Sequence, residues 1–125
     1  RSLEMRRSSI LESDWKLLSK LKPLAVDRLY NRVLLDAQAA ICGEGKNSRE
    51  LVHETRVALN NGIKRVRDVF DSFNFYRSHA ETNLMLMCRA GLLNEQEIFS
   101  FSEELRERAL RWLAEGVEFR AETPR

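Results

Sequence analysis

This chain is poor in the residues that interrupt or cross-link a fold. Five glycines and two prolines among 125 residues leave long stretches unbroken, which argues for long helices and against a strand-and-turn sandwich. Two cysteines, Cys42 and Cys88, are too few for a disulfide framework, and each sits in an apolar helical context where cysteine acts as a small hydrophobe. No uncharged apolar run approaches the roughly 18 residues that a membrane-spanning helix needs. Residues 1–9 lack the apolar segment of a signal peptide. Met5 reads as a natural initiator behind a vector-derived Arg1-Ser2-Leu3-Glu4, so 1–9 are expected to be disordered or vector-derived. These absences predict a cytoplasmic protein with no membrane partner.

Apolar and charged residues are ample instead, at 43% and 32% of the chain, a globular composition. Such a length fits one domain that buries about two thirds of its surface on folding. That domain is expected over 10–117, with a frayed tail over 118–125. Charge is uneven: 94–125 hold eight Glu against five Arg, a net −3, while 1–93 hold sixteen Lys and Arg against eleven Asp and Glu, a net +5.

The stretch that organises the rest is Leu84-Met85-Leu86-Met87-Cys88. Five apolar neighbours in a helix point around its whole circumference, and a helix greasy on all sides belongs inside a bundle or at an oligomer interface. It is expected within one helix over 76–91, capped by Asn74 and ended by Gly91. The other segments then form its cover. Ser13 and Asp14 open a short helix with Leu11, Trp15, Leu18 and Leu21 or Lys22 on one face. Pro23 disfavours helical geometry in the residue before it and suits a helix start, so a new helix is expected from Pro23 to Cys42. Its apolar stripe is Leu24, Val26, Leu29, Val33, Ala37, Ala40 and Ile41, with Asp27, Arg28, Arg32 and Asp36 on the far side. After the loop Gly43-Glu44-Gly45-Lys46-Asn47, Asn47 with Glu50 as a capping box, or Ser48 alone, caps a helix over 48–72. There Val52, Leu59, Ile63, Val66, Phe70 and Phe73 fall within an arc of about 80° at 100° per residue, and Gly62 on the same side suits a close helix crossing. Asn94 with Glu97 caps a single turn over 95–99. Ser100 or Ser102 then caps a last helix over 103–115, carrying Leu105, Ala109, Trp112 and Leu113 and stopped by Gly116. The predicted fold is all-α, an antiparallel bundle of four main helices with one or two short additional ones.

The chemical motifs are thin. Glu50-Leu51-Val52-His53 has the Glu-x-x-His spacing of di-iron bundles, but no second copy exists and the wheel turns His53 to the polar side. His79 and Glu81 diverge on a helix, and Cys88 lies two and a half turns away. No nucleophile elbow, phosphate-cradling glycine loop or Cys-x-x-Cys occurs. Gly43-x-Gly45-Lys46 follows a helix rather than a strand. The expectation is therefore no catalytic residue, no metal and no cofactor. Phe70, Phe73, Phe75 and Tyr76 beside Arg77 have the composition of a stacking platform for single-stranded nucleic acid, yet their spacing favours core packing. Trp15 and Trp112 read as end-cap core residues.

Two surfaces remain as candidates. Arg49, His53, Arg56, Asn60, Lys64 and Arg67 form one stripe about 27 Å long at 1.5 Å per residue, suited to a polyanion backbone. Leu84, Met85, Leu86 and Met87 expose more apolar surface than one antiparallel neighbour covers, which suggests self-association, most simply as a symmetric dimer.

Asp14-Trp15-Lys16, Lys22-Pro23 with Ala25 and Asp27-Arg28-Leu29, Arg67-Asp68 with Phe70-Asp71, Arg77-Ser78, Gly91-Leu92-Leu93, and Phe101-Ser102 ahead of Glu104-Leu105-Arg106 together resemble a family of short uncharacterised bacterial proteins. The resemblance covers most of 13–110. It implies a bacterial source and one compact unit, and it transfers no functional residue. The sequence thus points to a non-enzymatic helical protein-interaction module that self-associates, open to other protein partners. The alternative is a nucleic-acid-binding accessory protein using the basic stripe.

Overall fold

The computed structural model describes residues 10–71 and 74–122, with side chains placed through Gly116. Five α-helices and one 3₁₀ turn follow in order, and no strand occurs among the described residues: α1 (Glu12–Ile41), α2 (Ser48–Phe70), the 3₁₀ turn Arg77–His79, α3 (Ala80–Arg89), α4 (Glu95–Phe99) and α5 (Glu103–Glu122). The protein is all-α, as its scarce glycine and proline require. The expectations for 1–9, Phe73 and 123–125 fall outside the described residues.

The break predicted at Pro23 does not occur. Pro23 sits inside a continuous 30-residue helix, about 45 Å long at 1.5 Å per residue. Its missing N–H leaves one carbonyl unpaired, but the site faces water and solvent can serve that carbonyl. On the other side Leu18, Leu21, Ala25, Leu29 and Val33 are buried, at near-constant steps of three and four. Packing along that stripe outweighs the local preference of the residue before proline. The stripe therefore differs from the predicted one: Leu24 and Ile41 are exposed.

α2 returns antiparallel to α1 and begins with the expected box, the Asn47 side chain accepting from the Glu50 amide and Glu50 accepting from the Asn47 amide, both at 2.9 Å. The two helices cross closely at Gly62. A Cβ there would lie 2.5 Å from a Val33 methyl, well inside the 3.5–4.0 Å of ordinary carbon contact.

The central helix is shorter than predicted. The chain enters it through the 3₁₀ turn, and Asn74 is no cap; its carbonyl accepts from the buried Asn83 side chain at 3.2 Å. α3 ends at Gly91, whose φ of 71° places it in the left-handed region. The Gly91 amide bonds Cys88 O at 2.9 Å and the Leu92 amide bonds Met87 O at 3.0 Å, the paired bonds of a Schellman closure. Around α3 the core gathers Leu84, Met87 and Cys88 with Leu18, Leu92, Ile98, Leu105 and Ala109.

α5 also outruns its predicted stop. Gly116 lies inside the helix, and a Cβ on it would sit 2.1 Å from the Arg89 carbonyl oxygen. Glycine there serves the approach of α5 to the end of α3. At its other end, Ser102 immediately precedes α5. Its amide and hydroxyl donate to the two oxygens of buried Asp14, at 2.8 and 2.6 Å, and this pins the start of α5 to the start of α1.

Candidate functional site

The cover supplied by α3, α4 and α5 does not extend along the whole α1–α2 hairpin. Its upper limit is marked by two arginines that the sequence pattern had assigned to the solvent side of α1. Arg28 grips both oxygens of Glu97 at 2.8 and 2.7 Å and also donates to the Leu92 carbonyl at 2.8 Å. Arg32 donates to the carbonyls of Ala90 and Gly91, both at 2.6 Å. The guanidinium groups thus neutralise the carbonyl end of α3, where cations are favoured. The bonds from Arg28 hold the Glu97 carboxyl below the ordinary glutamate range, against an opposing effect of burial, and raise Arg28 in turn.

Beyond these ties the hairpin is bare. On α2 the stripe Val52, Leu59, Ile63, Val66, Phe70 predicted from the sequence exists as a stripe, but only its last part is inside. Val66 and Phe70 are each 8% exposed, whereas Ile63 is 44% and Val52 69% exposed. On α1, Tyr30, Leu34 and Ile41 are exposed as well, and steps of four and seven place them on one side of that helix. Ile41 joins Leu51, Val52, Thr55, Leu59 and Ile63 around an open groove of about 600 Å³, so the apolar sides of both helices face the same way. The hairpin's opposite groove, about 560 Å³, mixes apolar residues such as Val33 and Val57 with the charged Arg32, Asp36, Glu54 and Arg65.

The basic stripe adjoins this face. Arg49, His53, Arg56, Asn60, Lys64 and Arg67 are all exposed, and Arg56 and Asn60 form the rim of the apolar groove. The candidate self-association residues are placed otherwise than expected. Leu84 and Met87 are fully buried within one chain, at 0% and 1% exposure, and Met85 and Leu86 are half-buried. The apolar surface of Leu84 and Met87 is thus covered within one chain, while Met85 and Leu86 keep part of theirs.

The remaining candidates do not converge. Glu50 is engaged in its capping box, and His53 beside it is exposed. Glu81 pairs with Arg108 at 2.9 Å, His79 stacks against Tyr76, and Cys88 lies in the core, where burial pushes its thiol up to about 12. Among the described residues no group of three His, Cys, Asp or Glu side chains is placed to hold a metal ion. Phe75 stacks on Trp15 at 5.0 Å, with Lys22 above its ring at 4.4 Å, which makes it a closure of the bundle end rather than a stacking platform. Among the described residues no helix is long and apolar enough to cross a membrane.

Sequence reasoning missed Tyr30, Leu34, Arg28 and Arg32. Their signal was present: once α1 runs through Pro23, the step-of-four stripe claims the core and leaves Leu34 and Ile41 beside it. No protein-family model, curated protein or solved structure matches the chain.

Proposed function

We propose that this protein is a non-enzymatic helical protein-interaction module that self-associates, with the outer half of the α1–α2 hairpin as its working element. One observation carries the reading: the strongest amphipathic stripe of the sequence is buried only from Val66 onward, while Val52, Leu59 and Ile63 stay 69%, 36% and 44% exposed. An apolar face of that regularity has no purpose in water, and exposed patches of this kind mark interaction sites. The few cysteines and the family resemblance support a bacterial cytoplasmic setting. Size-exclusion chromatography with light scattering, run over a hundredfold range of concentration, tests the proposal. A mass rising above the 14.6 kDa of one chain supports it, and a monomer throughout refutes it.

A second reading, a nucleic-acid-binding accessory protein, is favoured by the unbroken exposure of the basic stripe. It predicts binding to random-sequence duplex DNA that weakens steeply with salt and falls on charge reversal at Arg56 and Lys64. Binding indifferent to both would remove it.

A further inference from the structure

We infer that the occupant of the hairpin's apolar face is a second copy of this chain, seated so that α2 of each copy lies against α1 of the other. This deepens the self-association proposed above and rests on it. Area argues first. Tyr30, Leu34, Ile41, Val52, Leu59 and Ile63, with the exposures they show, leave on the order of 500 Å² of side chain bare, at the upper end of what a monomer displays and more than half of the roughly 800 Å² per partner that a stable dimer buries. The polar rim supplies the rest.

Register argues second. Gly62 lies against Val33, and the helices are antiparallel, so residues whose numbers sum to about 95 share a level. Ile63, Leu59 and Val52 then stand level with positions 32, 36 and 43 of α1. Each is offset by about two residues, or about 3 Å, from Tyr30, Leu34 and Ile41, which is roughly half the 5.4 Å helical pitch. A two-fold axis parallel to the helices preserves these levels. It sets Ile63 and Leu59 of α2 between rungs of the other copy's α1, with Val52 just past Ile41, in an up-down four-helix bundle with every neighbour antiparallel.

Charge decides between the possible axes. The cationic edge lies on α2 alone. An axis across the helices would lay α2 on α2 and bring Arg56 and Lys64 of the two copies together. An axis along them instead brings Arg67, level with about position 28 by the same count, to Asp27 of the other copy.

The test uses the full chain. Leu34→Glu and Leu59→Glu change side chains that are already exposed in the subunit, so the fold should persist, checked by circular dichroism. Leu35→Glu, exposed on another side of α1, is the control. The expected result is a dimeric parent and a dimeric control, with both face variants monomeric and fully helical. A parent that is monomeric refutes self-association itself, including the case in which it binds duplex DNA as a monomer. A dimeric parent whose face variants remain dimeric leaves self-association standing and overturns this face. The arrangement is tested by sedimentation equilibrium: Asp27→Lys should weaken the dimer about tenfold, and adding Arg67→Asp should restore it. Failure of that restoration overturns the parallel axis.

Discussion

The crossing at Gly62 allows a quantitative test of how the hairpin is held. In Gly62→Ala the new methyl group would lie 2.5 and 2.7 Å from the two Val33 methyls and 3.0 Å from the Val33 Cβ. Valine in a helix keeps essentially one χ1 rotamer, so Val33 cannot swing aside and the helices must part. Replacing glycine by alanine inside a helix would by itself add about 1 kcal/mol of stability. Forcing a methyl into a closed contact costs about 1–3 kcal/mol, and the absence of a rotamer escape places this case toward the upper end. A net loss of about 1–2 kcal/mol is expected, which at about 4 °C per kcal/mol lowers the melting temperature by about 4–8 °C. Val33→Ala alone costs about 2 kcal/mol through the space it empties. In the double variant the two methyl clashes are gone and only the approach to the Cβ of residue 33, at 3.0 Å, remains, so much of the strain is relieved and part of the helix-forming gain of alanine is released. The double variant should therefore come close to Val33→Ala in stability, a coupling of about 1–2 kcal/mol. Urea unfolding followed by circular dichroism at several protein concentrations measures all four corners while separating any effect of association. If Gly62→Ala destabilises equally in both backgrounds, the close approach is not its cause.

Three further outcomes follow from the same contacts. Asp14→Ala strands the amide and hydroxyl of Ser102, which donate to the two Asp14 oxygens, and should cost about 2–4 kcal/mol in chemical denaturation; a loss under about 1 kcal/mol would show that the tie is replaceable. The folded-state depression of Glu97 below its ordinary 4.5 stabilises the protein fully above that value and is lost as pH falls through the folded pKa. The acid limb of stability should thus be shallower in Glu97→Gln, by at most about 1 kcal/mol because the partly exposed Arg28 is screened, and superimposable limbs would contradict the assignment. A thiol reagent at pH 8 should label exposed Cys42 rapidly and reach buried Cys88 only on unfolding, since the reactive thiolate is suppressed when the thiol is pushed up to about 12; two fast thiols would mean that the core opens readily.

Much of this architecture was legible in residue order. Both capping boxes, Asn47 with Glu50 and Asn94 with Glu97, occur as their spacing indicated, because such boxes depend on neighbours within one turn. The misreadings share a cause. Pro23, Gly116 and Asn74 were each given the meaning they most often carry locally, and in each case a distant partner decided otherwise: the core stripe of α1, the Arg89 carbonyl and the Asn83 side chain. Arg28 and Arg32 were placed on a solvated face for the same reason, since the carbonyls they grip lie about sixty residues away. Leu84 and Met87 are as internal as five consecutive apolar residues implied. One chain supplies the surroundings of these two, while Met85 and Leu86 stay partly exposed. The bare face was half visible, as a stripe on 48–72, but periodicity reports which side is apolar and not how far a cover extends.

Several contacts act as fastenings: Asp14 with Ser102, Arg28 with Leu92, Arg77 with Glu12 and the Ile10 carbonyl, and Gly91 at its reversal. They sit at the root of the hairpin, below the level of Val33. Above that level the hairpin is a spar stepped into a fixed socket. Removing matched turns from both limbs would shorten its throw without disturbing the seat, and lengthening them would extend it by the same logic. Reach and anchorage are therefore separable properties of this molecule, and variation in one need not be felt by the other.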